Sequence, residues 1–281
     1  MEKRIEDMRK DMALQLLSPR TVKTYLYHVR KFTEYFKGNV EGLKEDDLRD
    51  YLYHIKMEQG YGPSNLSQAF SAIKFLYRET LKMPLTLGKL RGPRKTMKLP
   101  VVLSREEVKA LFDATENDKH RMILMVIYSG GLRVSEASHL RVQDIDSSRM
   151  LIRVEQGKGN KDRYTLLSAQ LLEKLRKYWL TCRPKPWLFP SGRNTKTPIH
   201  VTTIQKAFYQ SKKKAHITKP VSVHTLRHSF ATHLLEQGVN LFTIQNLLGH
   251  KQIQNTLIYL HLQQDHCQNI VNPIDGMLED A

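Results

Sequence analysis

The chain has 281 residues, 40% of them hydrophobic and 26% charged, with a formal net charge of +17. Those values fit one large or two ordinary soluble globular domains and exclude a disordered chain. No run approaches the ~18 apolar residues of a membrane span, the charged N-terminus lacks the apolar core of a signal peptide, and two cysteines, Cys182 and Cys267, support neither a disulfide framework nor a four-thiolate zinc site. The basic surplus runs through both halves of the chain, so a polyanion is the expected partner, nucleic acid first, in the cytoplasm.

The first hundred residues read as helices. Ser18 before Pro19 is a helix start: a side-chain cap, then the residue whose missing N–H costs nothing in a first turn. Val22, Tyr25, Leu26, Val29, Phe32 and Phe36 then recur at helical spacing. A second helix is expected over about 44–59, stopped by Gly60. A third opens at Pro63, with Leu66, Ala69, Phe70, Ile73, Leu76 and Tyr77 on one stripe. Residues 1–87 are thus an N-terminal helical bundle. Over 88–101 the composition changes, because Gly88, Gly92, Pro93 and Pro100 punctuate Lys89, Arg91, Arg94, Lys95 and Lys98. This reads as a basic interdomain linker, either lying along a phosphate backbone or simply solvated.

Residues 102–281 form the second domain. Ser104 and Glu107 make a capping box, and the apolar run 122–128 reads as a buried helix that stops at Gly130 and Gly131. Residues 150–155 alternate, with Ile152 and Val154 on one face. Residues 157–160 turn the chain and 162–167 alternate again, which is a hairpin. From Val201 the pattern returns to helices, broken at Lys219-Pro220, Gly238 and Gly249. The fold class is mainly α with a small β-sheet, in two domains.

Several residues in this second domain suit phosphate chemistry. His224 and Arg227 share a helix face, which taken alone is either ordinary charged decoration of an amphipathic helix or an arrangement in which a rigid guanidinium fork and an imidazole bind one phosphate together. Arg133 follows Gly130, Gly131 and Leu132, placing it at the mouth of a new helix, and Glu136 one turn on can brace a neighbouring side chain. Lys158 sits at the hairpin tip, where a flexible ammonium either reaches into a groove and protonates a leaving oxygen or simply adds solubilising charge to a turn. The tip is not a P-loop, since no helix follows it. Tyr259 comes shortly after His250. A tyrosine among apolar residues is ordinarily core packing, and a phenol of pKa ~10 needs cationic or basic neighbours to act as a nucleophile.

Taken together and in order, Gly131-Leu132-Arg133-Val134-Ser135-Glu136, Gly157-Lys158-Gly159-Asn160-Lys161-Asp162-Arg163, His224-Thr225-Leu226-Arg227-His228 and Leu248-Gly249-His250 with Tyr259 strongly resemble the tyrosine recombinases of the phage-integrase family. The likeness is closest to the Xer and integron-integrase branch and spans about 103–262. The short interval between Lys158 and His224 lacks the insertion of integron integrases, so a compact Xer-like or mobile-element enzyme fits better. The resemblance implies a SAM-like core-binding bundle ahead of a mixed α/β catalytic domain. It also implies site-specific cleavage and rejoining of duplex DNA through a 3′-phosphotyrosine link and a Holliday junction. In that scheme Tyr259 is the nucleophile, Arg133 and Arg227 hold the phosphate, His250 hydrogen-bonds nearby, and Lys158 is the general acid, with Lys161 as the alternative. His224 helps deprotonate the tyrosine and Glu136 supports.

By the same resemblance the enzyme works as a tetramer on DNA, its tail 262–281 docking into a neighbouring subunit, with accessory proteins or a paralogous recombinase subunit as further partners. No metal and no cofactor are expected, because arginine and lysine supply the charge stabilisation. His228 and His233 read as supporting contacts, and His261, His266 and Cys267 as a poor metal set. Three other readings stand beside this one: an inactive DNA-binding regulator of the same fold, a topoisomerase of the IB type, and a metal-dependent nuclease.

Overall fold

Residues 2–83, 100–155, 162–192, 195–250 and 252–260 are described by the computed structural model. They divide into two compact units, residues 1–97 and 98–281. Nearly all of the expected linker 88–101 lies outside the described residues, as do Lys158, Lys161 and the tail from His261 onward.

Among its described residues the first unit has four helices: α1 (Glu2–Leu14), α2 (Pro19–Tyr35), α3 (Glu45–Met57) and α4 (Pro63–Phe75), the last continued by one π-helical turn, Leu76–Thr80. As its sequence requires, α2 starts where the Ser18 hydroxyl accepts the Thr21 N–H at 3.2 Å. Its periodic residues Leu26, Val29 and Phe32 are buried, with Val22, Tyr25 and Phe36 packed at the margin. The α4 stripe closes on them through Ala69, Ile73, Leu76 and Tyr77. Tyr51 and Phe32 meet edge-to-face at 5.0 Å, and the Tyr77 hydroxyl donates to the Val40 carbonyl, so that ring is anchored at both its apolar and its polar end. Helix α1, beyond the helices expected, adds Met8 and Met12 to this core.

The second unit opens with α5 (Arg105–Asp113) behind the Ser104 and Glu107 capping box, both halves of which form. The apolar run becomes α6 (Asp118–Ser129), ending at Gly130, and the short α7 (Val134–Ser138) follows. Three antiparallel strands come next: β1 (Ile145–Asp146), β2 (Leu151–Val154) and β3 (Arg163–Leu166), in that spatial order. The expected hairpin is β2 with β3, registered Leu151 to Leu166 and Val154 to Arg163. Ile152 and Val154 face the core, which the period-2 alternation dictates. Among the described residues five helical elements follow: α8 (Ala169–Cys182), α9 (Val201–Lys214), α10 (Val223–Glu236), α11 (Leu241–Leu248) and the single turn α12 (Gln254–Leu257).

Helix α10 decides the layout. It is buried on most of its surface, with Leu226 in the main core beside Ile123, Ile127 and Ile152. One turn later Phe230 belongs to a second cluster with Leu248, Ile244 and Tyr259. The helix is thus a wall between two apolar layers, and His224, Arg227 and His228 lie in its first two turns. No helix among the described residues is long and apolar enough to cross a membrane.

Candidate active site

Gly131 sets the approach of the chain to the site. Its φ of +59 belongs to the left-handed region, and a Cβ built there would lie 2.4 Å from the Phe230 ring and 2.9 Å from the Leu248 side chain. Only glycine satisfies both the backbone and the packing. The turn places Arg133 as the N-cap of α7, with its backbone N–H donating to Glu136 Oε2 at 2.8 Å and its Nη1 to Glu136 Oε1 at 2.6 Å. The Gly131 carbonyl itself accepts from Arg227 Nη1 at 2.6 Å, and the Leu248 carbonyl from Arg227 Nη2 at 2.6 Å. Arg227 is 1% exposed, and these bonds use two of the five donors a guanidinium carries.

Beneath these arginines lies a third. Arg163, on β3, donates from both terminal nitrogens to Glu136, at 2.9 and 2.7 Å, and from Nε to the Leu247 carbonyl at 3.0 Å. It joins the sheet to α7 and to the end of α11. Gly249 makes room for it: φ is +63, and a Cβ there would stand 2.7 Å from the Arg163 side chain. Sequence reading gave Arg163 no role. The available signal was its register, since β3 alternation puts position 163 on the same face as buried Thr165, and a buried cation requires a carboxylate.

One carboxylate therefore serves three guanidinium groups, and the local surplus is positive. Burial alone would raise the Glu136 carboxyl, but the Arg163 hydrogen bonds and charge, with the Arg133 N–H and charge, outweigh it and hold the group at about 2. Arg227 is lowered to about 9, first by burial and then by Arg133, and it stays protonated at neutral pH. A buried positive surplus that its own neighbours do not neutralise is an anion site.

A cleft of about 510 Å³ opens over this cluster, lined by Arg133, His224, Arg227, His228, His250 and Tyr259. Five of the six expected site residues with a described position thus converge on one opening, and the sixth is Glu136, which sits behind it. Lys158 lies outside the described residues. Tyr259, in the turn after α12, is 1% exposed with its ring in the second apolar cluster. Its hydroxyl is 2.9 Å from His228 Nδ1. His224 instead meets the His228 ring edge-on at 4.6 Å between centroids. His250 is held by Thr256, whose hydroxyl lies 2.9 Å from its Nδ1. All three imidazoles are lowered: burial leads in each case, followed for His224 by Arg227 and Arg133, for His228 by His224 and Arg227 to about 4, and for His250 by Arg227 and Arg133 to about 3. Burial pushes Tyr259 up to about 12 against the pull of Arg227 and Arg133.

Of the two histidines read as supporting contacts, His228 is the one on the phenol. The other, His233, lies 2.8 Å from the Tyr128 hydroxyl, away from the cleft. His261, His266 and Cys267 lie outside the described residues.

Comparison with known proteins bears on both units. Residues 101–266 match the model of the phage integrase family, and residues 5–87 match that of the phage integrase N-terminal SAM-like domain. A putative integrase/recombinase of Sinorhizobium fredii, y4qK, is 41% identical over 256 residues, covering 91% of this chain and 83% of its own. The tyrosine recombinase XerA of Pyrococcus horikoshii is 32% identical over 269 residues, covering 95% and 92%. Among solved structures, a XerA recombinase aligns over 94% of each chain with 29% identity and a TM-score of 0.54. The XerH recombinase bound to its palindromic difH substrate in a post-cleavage complex shares the fold at a TM-score of 0.75, with 23% identity over 86% of this chain and 76% of that one.

Proposed function

Because this chain belongs to the phage integrase family of tyrosine recombinases, we propose that it cuts and rejoins duplex DNA at a specific site, using Tyr259 as nucleophile and the cleft as its phosphate site. The observation that carries this is the buried Tyr259 phenol opening into the same cleft as Arg133 and Arg227. In-line attack on a phosphodiester builds negative charge on the nonbridging oxygens, and fixed cations that need no reorganisation stabilise it best. Arg133 and Arg227 supply those cations, Glu136 and Arg163 fix their directions, and His250 and His224 line the same phosphate position. Lys158 is the general acid for the departing 5′ oxygen, with Lys161 the alternative. The bond energy is kept in a 3′-phosphotyrosine ester, so rejoining requires only the reverse attack by a 5′ hydroxyl.

The helical bundle 1–87 is the core-binding domain and 102–281 the catalytic domain, joined by the basic linker 88–101, and each of the two domains binds duplex DNA. Strand exchange proceeds through a Holliday junction within a tetramer. Its neighbours exchange the tail 262–281, and accessory proteins or a paralogous subunit set its timing. This rests on family likeness: related recombinases have been solved on DNA sites, and lambda integrase as a tetramer on a Holliday junction. With DNA as its substrate, the protein works in the cytoplasm.

The test is covalent capture. Nicked suicide duplexes from a randomised pool are incubated with the full chain in EDTA, and the DNA bound covalently to protein is recovered and sequenced. The unaltered protein should give an adduct and Tyr259→Phe none. No adduct from any pool would overturn the proposal, and an adduct that relaxes supercoils without exchanging strands would return the topoisomerase reading.

A further inference from the structure

The family resemblance gives the Tyr259 proton to His224, yet the imidazole within hydrogen-bond distance of the phenol is that of His228. Resting on the reading of Tyr259 as nucleophile, we propose that His228 is the general base, accepting the Tyr259 phenolic proton on Nδ1 as the hydroxyl attacks phosphorus. General-base catalysis first requires hydrogen-bond reach. His228 Nδ1 stands 2.9 Å from the Tyr259 hydroxyl, its ring tilted 54° to the phenol ring. The other two imidazoles of the cleft are placed differently. His250 directs Nδ1 to the Thr256 hydroxyl, and His224 has its ring against the edge of His228.

Burial makes the base necessary. A phenol 1% exposed and raised to about 12 is not ionised at neutral pH, so its proton must leave as the bond to phosphorus forms. The charged and titratable groups facing His228 are His224 and Arg227 from its own helix, His250 from the end of α11 and Tyr259 from the turn after α12. Burial and those cationic neighbours keep the imidazole neutral, the form that has a lone pair to offer. They also make it a weak base while the cleft is empty. A phosphodiester bound against Arg133 and Arg227 opposes their charge at His228, and the transition state, richer in negative charge, opposes it further. The proton affinity of His228 thus rises at the moment the phenol gives up its proton.

The step balances. The O–H bond of Tyr259 breaks with its proton passing to His228, the phenol oxygen bonds to phosphorus, and the bond from phosphorus to the 5′ oxygen breaks. That oxygen takes a proton from the general acid. In rejoining, the 5′ hydroxyl returns that proton as it attacks, and the His228 imidazolium protonates the departing phenol oxygen. No further reactant enters.

The experiment uses the full chain and a suicide duplex carrying a site recovered by covalent capture. In His228→Asn an amide occupies the place of Nδ1, keeping a hydrogen bond to the phenol without proton affinity. Adduct formation at pH 7 should slow by about 10²–10⁴-fold, while DNA affinity holds. The residual rate should climb with pH between 7 and 9, where the unaltered protein is flat. A bridging 5′ phosphorothiolate, which needs no acid, should rescue Lys158→Ala and leave His228→Asn slow. A rate equal to that of the unaltered protein, or a slow rate with a flat pH profile, overturns the proposal.

A second measurement avoids the variant. Replacing Tyr259 by trifluorotyrosine, whose phenol ionises far lower, should speed cleavage at pH 7 by less than about tenfold, since a base already takes the proton. Acceleration in full proportion to the pKa drop would mean that no base acts. If the unaltered protein captures no DNA at all, the nucleophile reading fails and takes the His228 assignment with it, whereas capture by the unaltered protein with His228→Asn equally fast fails the assignment alone.

Discussion

Replacing Glu136 with glutamine makes permanent the neutral state that the carboxyl reaches only in strong acid. Glu136 is 7% exposed and receives Arg163 at 2.7 and 2.9 Å and Arg133 at 2.6 Å. Its carboxyl sits at about 2, against an ordinary 4.5. At 1.36 kcal/mol per pKa unit, that difference is worth about 3 kcal/mol of stability near neutrality. For a domain of this size the loss should lower Tm by about 6–12 °C. The folded-state pKa is depressed, so the contribution is fully present above the unfolded-state value and is lost as pH falls through about 2. The Tm difference between the unaltered protein and Glu136→Gln should therefore be constant from pH 8 down to pH 5.5 and narrow below pH 4.5. Differential scanning calorimetry across that range measures it. An unchanged Tm at pH 7.5, or a gap that widens on acidification, would refute the idea that one carboxylate holds the arginine cluster together.

Arg227→Ala leaves the buried acceptors of Gly131 and Leu248 without their donor, about 1–3 kcal/mol each. It should both lower the melting temperature and reduce adduct formation by about 10²–10³-fold; a normal melt with normal cleavage would contradict the geometry. In Arg227→Lys the charge survives, but a single ammonium lacks the planar fork that spans two carbonyls, so cleavage should stay well below that of the unaltered protein in the suicide-substrate assay. Gly131→Ala meets both a left-handed backbone and the Phe230 ring at 2.4 Å; thermal melts should show a loss of several kcal/mol, and a neutral result would mean that the turn can open. Covalent adduct should form undiminished in EDTA, and log affinity for duplex DNA should fall linearly with log salt, measured by fluorescence anisotropy.

Much of the architecture was legible because strong local signals agree with burial. The Ser18 cap, the Pro63 start, the Ser104 and Glu107 capping box and the alternation of Ile152 with Val154 all act over a few residues, and each became the element expected. Helix α10 was harder. Its Leu226, Phe230, Leu234 stripe suggests one apolar face, yet the helix is covered on most sides because separate clusters claim successive turns. Strand β1 has two residues and no pattern to read. It exists because Ile145 and Asp146 pair with Ile152 and Leu151.

The site divides in the same way. Residue types and their order, read with the family resemblance, name Arg133, Glu136, Lys158, His224, Arg227, His250 and Tyr259 as candidates, since phosphate chemistry restricts which side chains can serve. Distances between segments far apart in sequence were not available to that reasoning. Whether His224 or His228 reaches the phenol depends on how α10 is rotated against the turn carrying Tyr259, and that rotation is set by Leu226 and Phe230 entering different apolar layers. Likewise, Arg163 is an ordinary strand residue until β3, α7 and α11 meet and set it against Glu136. The sequence by itself determined which chemistry this protein carries; tertiary packing alone decided which histidine touches the Tyr259 phenol and that Arg163 shares Glu136 with Arg133, because those contacts join segments that no local pattern connects.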